Sequence, residues 1–179
     1  NGILLGSGIV QAANYANPLS ASGRYGNDIN PVGLYPSADH YYFTVRSRGY
    51  LRVRVPGTFQ FRNTTDDGSR LRFDIDGDGS FGPGETIILD DVLSGQHDVV
   101  SAPIPLAVGE YLIEHVWFES GGGAMGEMDV RRVGGSFQSI GDPRSDGAAA
   151  YDNYGVSILV DSNSPADTDG DGISNGCDN

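Results

Sequence analysis

Apolar residues recur at every second position over much of this chain, not at every third or fourth. In "YLRVRV", Leu51, Val53 and Val55 alternate with Arg52 and Arg54, the pattern of a strand with one buried and one solvated face. "TFQFRN" repeats it with Phe59 and Phe61 inward, and "RLRFDI" with Leu71, Phe73 and Ile75. Pro56-Gly57 marks a tight turn between the first two of these segments. Further strands are expected at "HYYFTV", "TIILD", "APIPLAV", the long apolar "EYLIEHVWF", "EMDV", "SFQSI" and "YGVSILV". Many short strands separated by turn residues predict an all-β fold, a β-sandwich of antiparallel strands.

The two ends depart from this pattern. Residues 1–40 are rich in Gly, Asn, Ser and Pro, with one apolar piece at 3–10. They read as an extended lead-in with a candidate first strand, ahead of a sandwich at 41–160. Residues 161–179 have no apolar pattern and read as an acidic, calcium-ordered tail or linker. The chain of 179 residues is long enough for one domain with a full core. Its 27 glycines and 9 prolines favour strands and turns over helices. No segment approaches the roughly 20 consecutive apolar residues of a membrane-spanning helix. No basic stretch followed by an apolar core opens the chain, so the expectation is a soluble, already processed product.

Charge sharpens the picture. Of 24 acidic residues, eight fall in 66–91 and five in 161–178, and the formal net charge is -13. Such clustering suits cations and argues against nucleic acid, whose phosphates want the opposite sign. The sole cysteine, Cys177, excludes an internal disulfide, leaving bound calcium as a candidate staple for the loops. Weak sites, with dissociation constants of about 10⁻⁴ to 10⁻³ M, suit a calcium-rich setting outside the cell. A secreted or cell-surface address is therefore expected. All 11 basic residues are arginine, a bias with no functional account.

The sharpest motif is "DIDGDGSFGPGE" at 74–85. It meets every specified position of the EF-hand calcium loop: Asp74, Asp76 and Asp78 as the first ligands, Gly79 at the turn and Glu85 as the closing bidentate ligand. The Ser80 carbonyl adds a further oxygen, and Phe81 takes the loop's apolar position. The flanks read as strands, so the expectation is an EF-hand-like calcium loop inserted in a sandwich, with a structural role. The competing reading is an Asp/Gly-rich hairpin turn. In the tail, Asp167, Asp169, Asp171 and Asp178 repeat a calcium-ligand spacing, with Asn175 able to help.

Two separated stretches carry a family resemblance. "GYLRVRVPGTFQFRNTTDDGSRLRFDIDGDG" resembles the heart of the anthrax protective-antigen-type (PA-fourteen) domain family, and "VGEYLIEHVWFESGGGAMGEMDV" resembles its closing half. Together they cover residues 41–133. The resemblance implies a β-sandwich used in bacterial toxins, glycosidases and adhesins, often to bind sugars. It also implies that two adjacent aspartates, here Asp66 and Asp67, hold a calcium ion, commonly across a cis peptide, and that the ion contacts sugar hydroxyls. This chain departs from the family in expanding the turn after "RLRF" into the full calcium loop. It also has Glu119 where fungal adhesin members carry an amide. The tail "DTDGDGISNGCDN" separately resembles one thrombospondin type-three calcium repeat.

Asp66 and Asp67 can alternatively form an Asx-turn, and Glu119 a buried carboxylate bonded to the following glycine-rich loop. Gly121, Gly122 and Gly123 lack the Lys-Ser ending of a phosphate cradle and would let the backbone come close to an ion or sugar. His40, His97 and His115 are scattered, and no nucleophile triad is apparent. The arginines at 46, 48, 52, 54, 62, 70 and 72 read as a solvated face paired across strands to carboxylates. The expected function is non-enzymatic: an exported calcium-binding surface module for glycan recognition or adhesion. The alternatives are a structural subunit of an extracellular filament or matrix, with other copies of itself as partners, and an accessory domain of a larger secreted enzyme.

Overall fold

A computed structural model describes residues 3–8, 10, 12–17, 23–25, 28–34, 38–140 and 154–159; at 158 and 159 only the backbone is described. The strands are β1 (Asn14–Ala16), β2 (Phe43–Val53), β3 (Gly57–Asp66), β4 (Ser69–Phe73), β5 (Thr86–Asp90), β6 (His97–Val100), β7 (Ile104–Leu106), β8 (Gly109–Glu119), β9 (Met125–Arg132), β10 (Gln138–Ser139) and β11 (Val156–Leu159). They form two antiparallel sheets. One runs β1-β9-β3-β6, with β10 beside β9 and β7 beside β3; the other runs β11-β2-β8-β4-β5. The all-β sandwich follows from the period-two pattern, because each sheet must bury its apolar face against another layer.

Between the sheets lie Leu51 and Val53 from β2, Phe59 and Phe61 from β3, Leu71 and Phe73 from β4, Ile113 and Trp117 from β8, and Met128 and Val130 from β9. Burying each large apolar side chain contributes about 1.5–3 kcal/mol. Gly126 on β9 faces Trp117 so closely that a Cβ there would run into the indole.

The arginine face is as expected on the smaller sheet. Arg46, Arg70 and Arg72 converge on Glu114, which is 1% exposed, and Arg52 pairs with Glu110.

Several expectations need correction. "HYYFTV" and "YLRVRV" are not two strands but one, β2, whose every residue from Phe43 to Val53 pairs with β8. That ladder carries the chain through the polar "RSRG". Val55 does not join Leu51 and Val53 inside; it is half exposed beyond the strand, next to Pro56, which has no N–H for a ladder. Ile75 is likewise outside its strand and exposed, because the chain turns outward once the Asp74 N–H has bonded the Leu112 carbonyl. The strand β6 was not anticipated: "HDVV" is half polar and buries little. Of the apolar piece at 3–10, the described residues are in no strand, and Ile3 and Leu4 are exposed. The edge position beside β9 is taken instead by β1.

Pairing places the site. Register joins Asp66 to Met125 at the end of β3 and the start of β9, and Ser69 to Trp117 at the start of β4 and near the end of β8. The β3–β4 turn and the β8–β9 loop therefore meet at one end of the sandwich. No helix among the described residues is long and apolar enough to cross a membrane.

Candidate metal centre

Among the described residues, two groups of three carboxylates converge, each with ligand oxygens within 4.8 Å of one another. The first is Asp66, Asp67 and Glu119, at the end of the sandwich where the two connections meet. The Asp66–Asp67 peptide is cis. Two backbone hydrogen bonds tie this turn to β8: Asp67 N–H to the Phe118 carbonyl, and Phe118 N–H to the Gly68 carbonyl. Gly68 permits that approach, since a Cβ there would collide with the Asp90 carbonyl oxygen and the Phe118 ring.

The three carboxylates are held differently. Asp67 accepts the Ser94 N–H at Oδ1 and the Ser120 N–H at Oδ2, both at 2.8 Å. Glu119 is 1% exposed, yet no hydrogen bond reaches either of its oxygens. The Gly121 N–H lies near enough to favour its charged form without meeting hydrogen-bond geometry. Burial, reinforced by the negative charges of Asp66 and Asp67, pushes Glu119 up to about 7. Burial and then Asp67 also raise Asp66 above the usual carboxylate range. Three buried acids with so few donors form an arrangement that a hard cation with oxygen preference would neutralise.

Asp66 and Asp67 border a surface pocket of about 360 Å³, lined also by Leu93, Ser94 and Gly95 on one side and Ser120 to Gly123 on the other; Glu119 is not part of the lining. Gly122 there has φ +109°, in the left-handed region. The 91–96 loop was missed by sequence reasoning, which had no pattern to flag it. His97 secures it: Nε2 meets Asp90 Oδ2 at 2.6 Å, while Nδ1 lies 3.0 Å from both Ser94 Oγ and the Gly95 carbonyl. His97 is thus a positioning residue beneath the pocket wall.

The second group is Asp74, Asp76 and Asp78, in the loop between β4 and β5. Asp74 is buried; its Oδ1 accepts the N–H groups of Gly77 and Asp78, and its Oδ2 that of Gly79. Glu85 accepts Ile75 N–H at Oε1 and Gly82 N–H at Oε2, both at 2.6 Å. It closes the loop, but its carboxylate is outside the converging trio. The Ser80 hydroxyl and N–H both donate to Asp78 Oδ1, holding Asp78 below the usual range. At Asp76 the Asp78 N–H favours the charged form, and desolvation with repulsion from Asp78, Glu85 and Asp74 outweighs it. Gly77 and Gly79 take positive φ, as the tight turn requires. Asp167, Asp169, Asp171, Asn175, Asp178 and Cys177 lie outside the described residues.

No family model matches the chain, and no curated protein does. Solved structures do resemble it. The PA14 sugar-binding domain from an RTX adhesin is 19% identical, with 76% of each chain covered and a TM-score of 0.50. An anti-sigma factor domain-containing protein is 17% identical over 76% of this chain and 40% of its own, with a TM-score of 0.52. The PA14 domain of the MpAFP antifreeze protein is 21% identical over 56% of this chain and 51% of its own, with a TM-score of 0.45; the match spans about half of that domain. The fold is PA14-like.

Proposed function

We propose that this chain is a calcium-dependent glycan-recognition module of a secreted or surface protein, acting without catalysis. The observation that carries the reading is Glu119: a fully buried carboxylate with no hydrogen bond to either oxygen, converging with Asp66 and Asp67, which themselves line an open pocket. Its neighbour by fold from an adhesin is described as sugar-binding, which supports the same direction. Asp66, Asp67 and Glu119 would hold the ion, and calcium takes 6 to 8 oxygens. When bound, it supplies a hard Lewis-acidic centre that exchanges water for vicinal hydroxyls. The protein's part is to fix Asp67 through the Ser94 and Ser120 N–H groups and to leave the glycine wall at 121–123 clear for a sugar ring. Such a shallow site binds weakly, about 4 kcal/mol at millimolar affinity, and gains strength from many copies.

The loop at 74–85 is proposed as a structural calcium loop, with Asp74, Asp76 and Asp78 as its convergent ligands and Glu85 and the Ser80 carbonyl joining on loading. The tail is proposed as a calcium-ordered spacer. A glycan array in saturating calcium tests the central reading. Binding that disappears with chelator, and in Asp67→Asn with the fold retained, is the expected outcome; an array blank for the unmutated protein rejects it.

A second reading, self-assembly into a filament, has one observation in its favour. Ile3 and Leu4 are 86% and 82% exposed outside any strand, available to add to a neighbour's sheet edge. Sedimentation at high concentration with calcium decides it, since a strictly monomeric full-length chain ends the idea.

A further inference from the structure

The outer face of the larger sheet holds a polar cluster that the recognition site does not use. Glu127 and Asp129 on β9 are both 0% exposed, although they point away from the apolar core. The lead-in segment covers them. Arg24 donates its N–H to Glu127 Oε1 at 2.6 Å, and Gly23 donates its N–H to Asp28 Oδ2 at 3.1 Å. Across the sheet, Arg62 pairs with Asp129 and Asp98, and the Arg24 guanidinium pairs with Asp98 at 2.9 Å.

Asp98 and the Arg24 guanidinium are partly exposed and pair with each other, and in the buried part Arg62 pairs with Asp129, so the donors to Glu127 and Asp28 are the backbone N–H groups of Arg24 and Gly23. Three carboxylate oxygens here, Asp28 Oδ1, Glu127 Oε2 and Asp129 Oδ1, are buried with no hydrogen-bond partner. Tyr25 lies close to Asp129 without reaching hydrogen-bond geometry. Asp28 Oδ1 and Glu127 Oε1 press on the same point of the chain, where a Cβ on Gly23 would overlap both. Only a glycine allows the two carboxylates to converge there. Leaving a buried charge unpaired is strongly unfavourable.

We propose that Asp28 and Glu127 hold a divalent cation of the calcium class, which fastens the lead-in to the outer face of β9. A dication would compensate the two converging carboxylates, which offer the oxygen ligands a hard ion requires. The site is separate from the pocket at Asp66, and its role is to keep residues 23–25 and Asp28 seated over Arg62 and Asp129. Burial, opposed by the Arg24 N–H and aided by Asp129 and Asp28, pushes Glu127 up to about 7. A proton is therefore the competitor for the same place.

The test is calcium stoichiometry of the full chain by equilibrium dialysis, for the unmutated protein, Glu127→Gln and Asp28→Asn. Each variant is expected to lose one bound ion per chain, and to lose it also when Asp67→Asn is already present. Asp28 lies in the lead-in, so Asp28→Asn keeps the test open if Glu127→Gln does not fold. Unchanged stoichiometry in the folded variants overturns the proposal. So does an infrared carbonyl band of protonated carboxyl in saturating calcium that Glu127→Gln removes, which would assign the place to a proton.

Discussion

At Glu119, a full carboxylate is buried without a donor in a chain that keeps its other site acid, Asp67, well bonded. Glu119→Gln removes a charge without changing shape, so its effect should change sign with calcium. In chelator the variant should be more stable than the parent, by about 1–3 kcal/mol, because an uncompensated buried charge is gone. In saturating calcium it should gain less stability than the parent, having one fewer charged ligand. Thermal melts of both proteins under both conditions check this; parallel shifts contradict it. Asp67→Asn, in contrast, should weaken calcium and sugar together, while circular dichroism stays unchanged.

His115 offers a pH prediction at the same scale. It is fully buried on β8 with neither ring nitrogen bonded, and burial pushes it down to about 4 from an ordinary 6.5. The native state therefore refuses a proton that the unfolded chain accepts below about pH 6.5. Its contribution is fully present above pH 6.5 and is lost as pH falls toward 4. The loss amounts to about 3 kcal/mol at 1.36 kcal/mol per pKa unit. Urea unfolding of the parent and His115→Phe isolates the effect. The stability difference should be flat above pH 7 and should fall in the parent's disfavour between pH 6.5 and 4.

At the scale of elements, the loop between β4 and β5 is where metal should govern stability. Asp74 and Glu85 already gather its N–H groups, so an ion would add neutralisation of Asp74, Asp76 and Asp78 to a preformed turn. With calcium 100-fold above its dissociation constant, mass action contributes about 2.7 kcal/mol. Asp76→Asn should remove most of the part of the calcium-dependent melting shift that belongs to this loop and spare sugar binding. An unaltered shift would count against the loop as a site. Elements were legible in the sequence wherever period two met a buried face, as in "TFQFRN" and "RLRF". They were not where pairing alone decides. The polar "RSRG" is strand because β8 lies alongside it, and β6 is strand because β3 needs a partner at Arg62 to Thr65.

For the whole molecule, the sandwich was legible in the period-two pattern, and the meeting of the "DDG" turn with the "FESGGGA" loop only through the family resemblance, which implies that both lie at one end. The wall at 91–96, the support from His97 and the lead-in packed over Glu127 were not, since each depends on contacts between segments without local pattern. The most direct test of the recognition reading is anomalous diffraction from crystals grown in calcium. A peak between Asp66, Asp67 and Glu119, with solvent oxygens completing its shell on the pocket side, is the predicted result. No peak there, while the loop at 74–85 is loaded and Glu119 is paired with water alone, would contradict it.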